Sequence, residues 1–173
     1  MSEVILNTND LSKISDLKAG YEVILSGVIY TLRDAGHKRL VESYRNGKPD
    51  FDVAGKAFYY CGPTPTLEHE IIGSCGPTTS SRMDDYTPFL IEKGLKIMIG
   101  KGNRSSTVLS AMEKYGAIYL IAVGGAGALY KSVVKQNLPV LYPDLGCEQM
   151  RALYVENMRL LVGADSHGNT ILK

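Results

Sequence analysis

From Ile71 onward the chain repeats one unit, a short apolar run, a glycine-bearing turn and a stretch of helical periodicity. Few folds accommodate that alternation. Ile71-Ile72 leads into Ser74-Cys75-Gly76-Pro77-Thr78-Thr79-Ser80-Ser81-Arg82, after which Met83, Tyr86, Phe89 and Leu90 recur at helical spacing up to Gly94. Residues 95–99 read as the next strand, Gly100-Lys101-Gly102 as the next turn and residues 105–115 as the next helix. Residues 117–123, the turn Gly124-Gly125-Ala126-Gly127 and residues 128–134 repeat the unit, and residues 138–142 add a strand. Strands alternating with helices predict an α/β domain with a central, mostly parallel sheet, in which ligands bind beyond the carboxyl ends of the strands. All three glycine turns belong to that edge.

Upstream, residues 21–32 are rich in Val, Ile and Leu after Gly20 and read as a buried strand. Asp34 can cap a following helix, with Leu40, Val41 and Tyr44 as its apolar stripe and Asn46-Gly47 as its stop, which puts Arg33 at a strand-to-helix junction. Residues 48–70 are broken by Pro and Gly, with a strand over 56–60. In the tail, 153–155 and 160–162 read as short antiparallel strands, and Asp165-Ser166-His167-Gly168-Asn169 as a surface hairpin turn. No linker or repeat of 20 to 50 residues interrupts the chain, so residues 1–173 are read as one domain. A net charge of +1 gives no global bias toward nucleic acid or membrane and favours a small-molecule or protein partner. No signal peptide or membrane span is evident, and a cytoplasmic protein is expected.

Three familiar motifs fail. Gly94 lies one residue too far from Gly100-Lys101 for a phosphate-binding loop, Leu129 and Tyr130 follow Gly125-Ala126-Gly127 where a dinucleotide turn needs a small residue, and Gly73 stands where a zinc protease has its second His after His69-Glu70. What remains is a set of cations and hydroxyls at strand ends: Arg33, Thr78, Thr79, Ser80, Arg82 and Lys101. A strand entering a helix at the Thr78-Thr79-Ser80 turn would present free N–H groups to an anion, and Thr78 and Arg82, four apart, would share a helical face. Two arginines from two junctions can grip a dicarboxylate at both ends. Thr-Thr-Ser is also ordinary helix-capping sequence, and Arg82-Met83-Asp84-Asp85 can equally be a solvated helical face. Convergence of the set at equivalent turns is what favours an anion site.

The Gly76-Pro77-Thr78-Thr79-Ser80-Ser81-Arg82-Met83-Asp84 segment resembles the signature of the beta subunit, or C-terminal domain, of class I iron-sulfur hydro-lyases, the fumarate hydratases and L-tartrate dehydratases. Leu25-Ser26-Gly27-Val28-Ile29-Tyr30-Thr31, Arg33-Asp34-Ala35-Gly36-His37-Lys38-Arg39-Leu40, Gly100-Lys101-Gly102, Ala122-Val123-Gly124-Gly125-Ala126 and Asp144-Leu145-Gly146-Cys147-Glu148 extend the resemblance in order over nearly the whole chain. It implies a swivelling three-layer β/β/α domain and reversible hydration of an unsaturated dicarboxylate, with a 4Fe-4S cluster held by an alpha subunit in an α2β2 assembly. By resemblance Arg33, Arg82 and Lys101 bind substrate and Thr78 sits at the proton-transfer position. His37 is a second acid–base candidate, since imidazole titrates near neutrality, or else a packed residue. Cys61, Cys75 and Cys147 match the number of ligands such a cluster needs, but in the family the ligands belong to the other subunit, and this chain is expected to hold no metal. The tail resembles tartrate dehydratase, whereas the 122–126 and 146–148 segments are closer to fumarate hydratase. A non-catalytic anion-binding module is the reading from another class.

Overall fold

Ten residues from Glu22 to Thr31 form strand β2, and their burial alternates strictly, with Val23, Leu25, Ile29 and Thr31 inward, as a period-two pleat requires. The computed structural model describes residues 2–172. Around β2 the elements are β1 (Glu3–Asn7), α1 (Asp34–Arg45), β3 (Ala57–Tyr59), α2 (Thr87–Glu92), β4 (Ile97–Gly100), α3 (Ser106–Tyr115), β5 (Ile118–Ile121), α4 (Gly127–Val133), β6 (Val134–Leu141) and β7 (Met150–Ala164). Among the described residues no helix is long and apolar enough to cross a membrane.

The α/β class is as expected, but the strands do not form an open sheet. β1, β3, β4 and β5 join as parallel neighbours of β2 and of one another, and β7 pairs antiparallel with both β5 and β2. The order β2-β3-β4-β5-β7 therefore closes on itself as a five-stranded ring, with β1 beside β2 and β6 beside β7. A single β7 of fifteen residues replaces the two short tail strands, and its length lets it pair with β2 along one edge and with β6 and β5 along the other. Between the two expected strands Glu156-Asn157 forms a bulge: the register against β2 shifts between Leu25 and Gly27, Asn157 takes φ 56° and its N–H donates to Ser26 Oγ at 3.0 Å. Gly27 supplies the matching bend at φ 115°, and a Cβ there would lie 2.2 Å from Thr8 Oγ1.

Alternation along the ring strands sorts two cores. Leu25, Ile29, Tyr59, Ile97, Ile99, Ile118, Leu120, Leu153, Val155 and Val162 face one cluster. Phe58, Met98 and Tyr119 face the other way, against Leu40 and Val41 of α1, Leu90 and Ile91 of α2 and Val108 and Met112 of α3.

Three local expectations shift. The helix over 83–94 is instead a 3-10 turn, Ser80–Met83, followed by α2, because Pro88 lacks an N–H and is admitted only in the first turn of a helix. Ile71-Ile72 forms no strand, and that stretch holds only isolated bridges such as Cys61 with Pro77. Asp34 does not cap helix α1: Arg33 occupies the N-cap position without a side-chain capping bond, Asp34 is the first helical residue with its carboxylate on Arg82, and the helix ends at Asn46 and Gly47 as expected.

Candidate functional site

The loops that follow β2, β3 and β4 meet at one edge of the ring. Thr78 N–H donates to Tyr60 O at 2.6 Å, Lys101 N–H donates to Thr78 O at 3.3 Å and Ser80 N–H donates to Lys101 O at 2.9 Å. The 78–80 segment is thus an extra strand-like strip between the ends of β3 and β4, bridged in parallel at Thr79 and Lys101. The third glycine turn joins them: a Cβ on Gly124 would lie 3.6 Å from Lys101 Cδ, and one on Gly127 would lie 2.3 Å from Ser74 Oγ. A side chain would be an ordinary contact at Gly124, but at Gly127 it would collide with Ser74 and the Gly76 backbone.

The two arginines meet on a carboxylate. Arg82 donates from Nε and Nη2 to the two Asp34 oxygens at 2.9 and 3.0 Å, in the forked geometry guanidinium favours. Arg33 Nε stands 3.8 Å from Asp34 Oδ2 and 3.4 Å from Glu148 Oε1, and is buried without a hydrogen bond. Gly62 admits this side chain, for a Cβ there would lie 2.8 Å from Arg33 Nη1. Arg33, Arg82 and Lys101 with Asp34 and Glu148 leave one net positive charge, and half of the Arg82 side chain is exposed. Such a cluster attracts an anion and retains N–H groups to bind it.

Thr78 and Arg82 do not share a helical face, since Thr78 precedes the 3-10 turn. Nor do Thr79 and Ser80 head an α-helix: Thr79 is exposed and makes no capping bond, while the Ser80 N–H is spent on Lys101 O and its buried Oγ pairs with Tyr119 Oη at 2.9 Å. The positive end of a helix dipole is therefore absent from this turn. His37 is completely buried beneath Arg33, with Nδ1 2.9 Å from Arg33 O and its ring against Phe58, Tyr60 and Tyr86. Because carbonyl oxygen only accepts, Nδ1 carries the proton, and burial pushes the pKa down from 6.5 to about 4.

Cys61 and Cys75 lie in the buried core cluster, where the neighbouring Cys75 sulfur and burial hold the Cys61 thiol above its ordinary range, and Cys75 Sγ donates to Gly73 O at 3.2 Å. Cys147 is exposed. Among the described residues no three of His, Cys, Asp and Glu are placed to hold a metal ion, and Cys61 and Cys75, buried, stand apart from exposed Cys147 in environment, so these donors do not fit an iron-sulfur cluster.

Sequence reasoning took Asp34 for a helix cap and Asp84 for part of a solvated helical face, and passed over Glu148 and Arg104. Asp34 and Glu148 stand inside recognisable motifs, and a carboxylate next to Arg33 was the available signal. The Asp84–Arg104 pairing joins residues twenty apart, and no local pattern announces it.

The model of the family described as "Fumarase C-terminus" matches residues 1–173, and so covers the whole site. The chain belongs to the fumarase C-terminus family. Within reach of this family, the chain is 37% identical over 163 residues to "Fumarate hydratase class I, aerobic" of Escherichia coli, a match covering 92% of this chain and 30% of that protein. It is 36% identical over 160 residues to "Fumarate hydratase 2" of Leishmania major, covering 91% and 28%. It is 38% identical over 172 residues to "Putative L(+)-tartrate dehydratase subunit beta" of Methanocaldococcus jannaschii, covering 94% of this chain and 88% of that protein. The chain spans about three tenths of the length of the fumarate hydratases it matches.

Proposed function

We propose that this fumarase C-terminus domain acts as the beta subunit of a hydro-lyase that reversibly hydrates fumarate to (S)-malate. The single observation that carries the reading is the meeting of Arg33, Arg82, Lys101 and Thr78 at one edge of the ring. Removing water from a hydroxy-dicarboxylate builds negative charge on the carboxylate next to the departing proton, and cations fixed there lower that barrier. Arg33 and Arg82 would hold the two carboxylates, with Lys101 beside them, and the hydroxyl of Thr78 would occupy the proton-transfer position. His37, with no exposed surface, would support the Arg33 carbonyl from below.

The 4Fe-4S cluster of the class I enzymes would belong to an alpha subunit, and an α2β2 assembly in the cytoplasm completes the reading. A swivelling three-layer β/β/α arrangement belongs to the same proposal, with helices α1 to α3 as its outer layer. L-tartrate dehydratase is the second reading, favoured by the 88% of the Methanocaldococcus jannaschii subunit that the match covers. Co-expressing the chain with a candidate alpha subunit and assaying malate against tartrate separates the two. Arg82→Ala and Lys101→Ala are each expected to lower turnover about 100-fold. Unchanged turnover in both would remove the site assignment.

A further inference from the structure

We propose that Arg104 and Asp84, a buried ion pair away from the exposed cations, are positioning residues that set Arg82 and Lys101 relative to one another. The proposal rests on reading Arg82 and Lys101 as substrate-binding groups.

Arg104 lies three residues after Lys101, and Asp84 two after Arg82. The Arg104 side chain is 0% exposed and that of Asp84 11%. Arg104 Nε donates to Asp84 Oδ1 at 2.8 Å, Nη2 to Thr87 Oγ1 at 2.9 Å and Nη1 to Tyr60 Oη at 3.3 Å, and its guanidinium stacks over the rings of Tyr60 and Tyr119. The other Asp84 oxygen accepts the Ser105 N–H at 2.6 Å. Tyr119 carries the linkage to the site: its hydroxyl donates to Gly102 O at 3.0 Å and so accepts from Ser80 Oγ. The 80–84 and 101–105 segments are therefore cross-linked at both ends, by Ser80 with Lys101 and Gly102 and by Asp84 with Arg104 and Ser105.

Stability alone is a weak reason for such a pair. Desolvating two charges consumes most of what their attraction returns, and apolar side chains of similar volume hold adjoining segments together as well. A planar fork with three directed bonds does something apolar packing does not, which is to fix the angle between the two segments. An error of about 1 Å between groups that grip one substrate can cost about 100-fold in rate.

The test uses the full chain and the chain assembled with its alpha partner. Arg104→Met with Asp84→Asn gives a neutral pair of similar shape in which the Asn oxygen still accepts from Ser105, so the double variant is expected to melt close to the parent. Its Lys101 and Ser80 amides are expected to exchange about tenfold faster, and its kcat/KM to fall about 100-fold. Arg104→Lys should keep the melting temperature and lose kcat/KM, since an ammonium lacks the fork. Parent-like exchange at both amides, or a parent-like kcat/KM in the double variant, overturns the proposal. If the assembled parent dehydrates neither malate nor tartrate, the hydro-lyase reading fails by itself, and the exchange rates still decide the positioning role.

Discussion

Arg82 and His37 show how differently two polar residues of the same neighbourhood are used. Arg82 is half exposed, and its pairing with Asp34 is screened by water, so the pair contributes less than about 1 kcal/mol to stability. Arg82→Ala is therefore expected to melt within a few degrees of the parent while turnover collapses, a separation that thermal denaturation and assay of the same preparation will check. His37 contributes through its neutral form. Its pKa is about 4 when folded against 6.5 for an exposed imidazole, so the unfolded chain binds more protons between those values. Stability is fully present above pH 6.5 and falls as pH drops toward 4, by up to about 3 kcal/mol from this residue. His37→Asn, which keeps a donor for Arg33 O and does not titrate, should flatten that part of the profile in urea unfolding at pH 7 and pH 4.5. An unchanged slope would assign the acid sensitivity to other groups.

At the scale of elements, strands and glycine turns were legible because each depends on neighbours in sequence. The strand at β2, the helix at α3 and the stop of α1 at Asn46-Gly47 all follow from residues a few positions apart. Elements whose limits depend on distant partners were misread. The 3-10 turn at 80–83 is held by Lys101 and the bulge at Asn157 by Ser26, contacts with no local signature, whereas Pro88 in the first turn of α2 was a local signal for the break. The bulge opposite Gly27 is where the ring bends, and Gly27→Ala is expected to cost about 2 kcal/mol, from a positive φ and a collision with Thr8. A fall in denaturation midpoint with an unchanged m-value would match this, whereas an unaffected midpoint would show that the bend relaxes elsewhere.

For the whole molecule, closure by β7 makes the ring interior one continuous core. Leu153 of β7 is buried in the same cluster as Ile29, Ile97 and Leu120 from three other strands. Leu153→Ala is expected to cost about 2–5 kcal/mol and to lower melting as a single transition detected alike by tyrosine fluorescence and far-ultraviolet dichroism. Two separated transitions would mean that β6 and β7 unfold apart from the parallel strands. Closure also explains why the site has the form it does. Sequential strands deliver Arg33, Thr78 and Lys101 to one edge, and the helices packed on the outer face hold Arg104 and His37 beneath them.

From the sequence alone came the α/β class, the family resemblance, the glycine turns and the cations at the strand ends, because periodicity, turn chemistry and motif order are local properties of a chain. Tertiary structure alone decided that the sheet closes, that Asp34 bridges two arginines, that Ser80 turns inward and that Arg104 is buried against Asp84. Asp34 meets Arg82 across 48 positions of sequence, Ser80 meets Tyr119 across 39 and Asp84 meets Arg104 across 20, and this geometry exists only once the strands have paired.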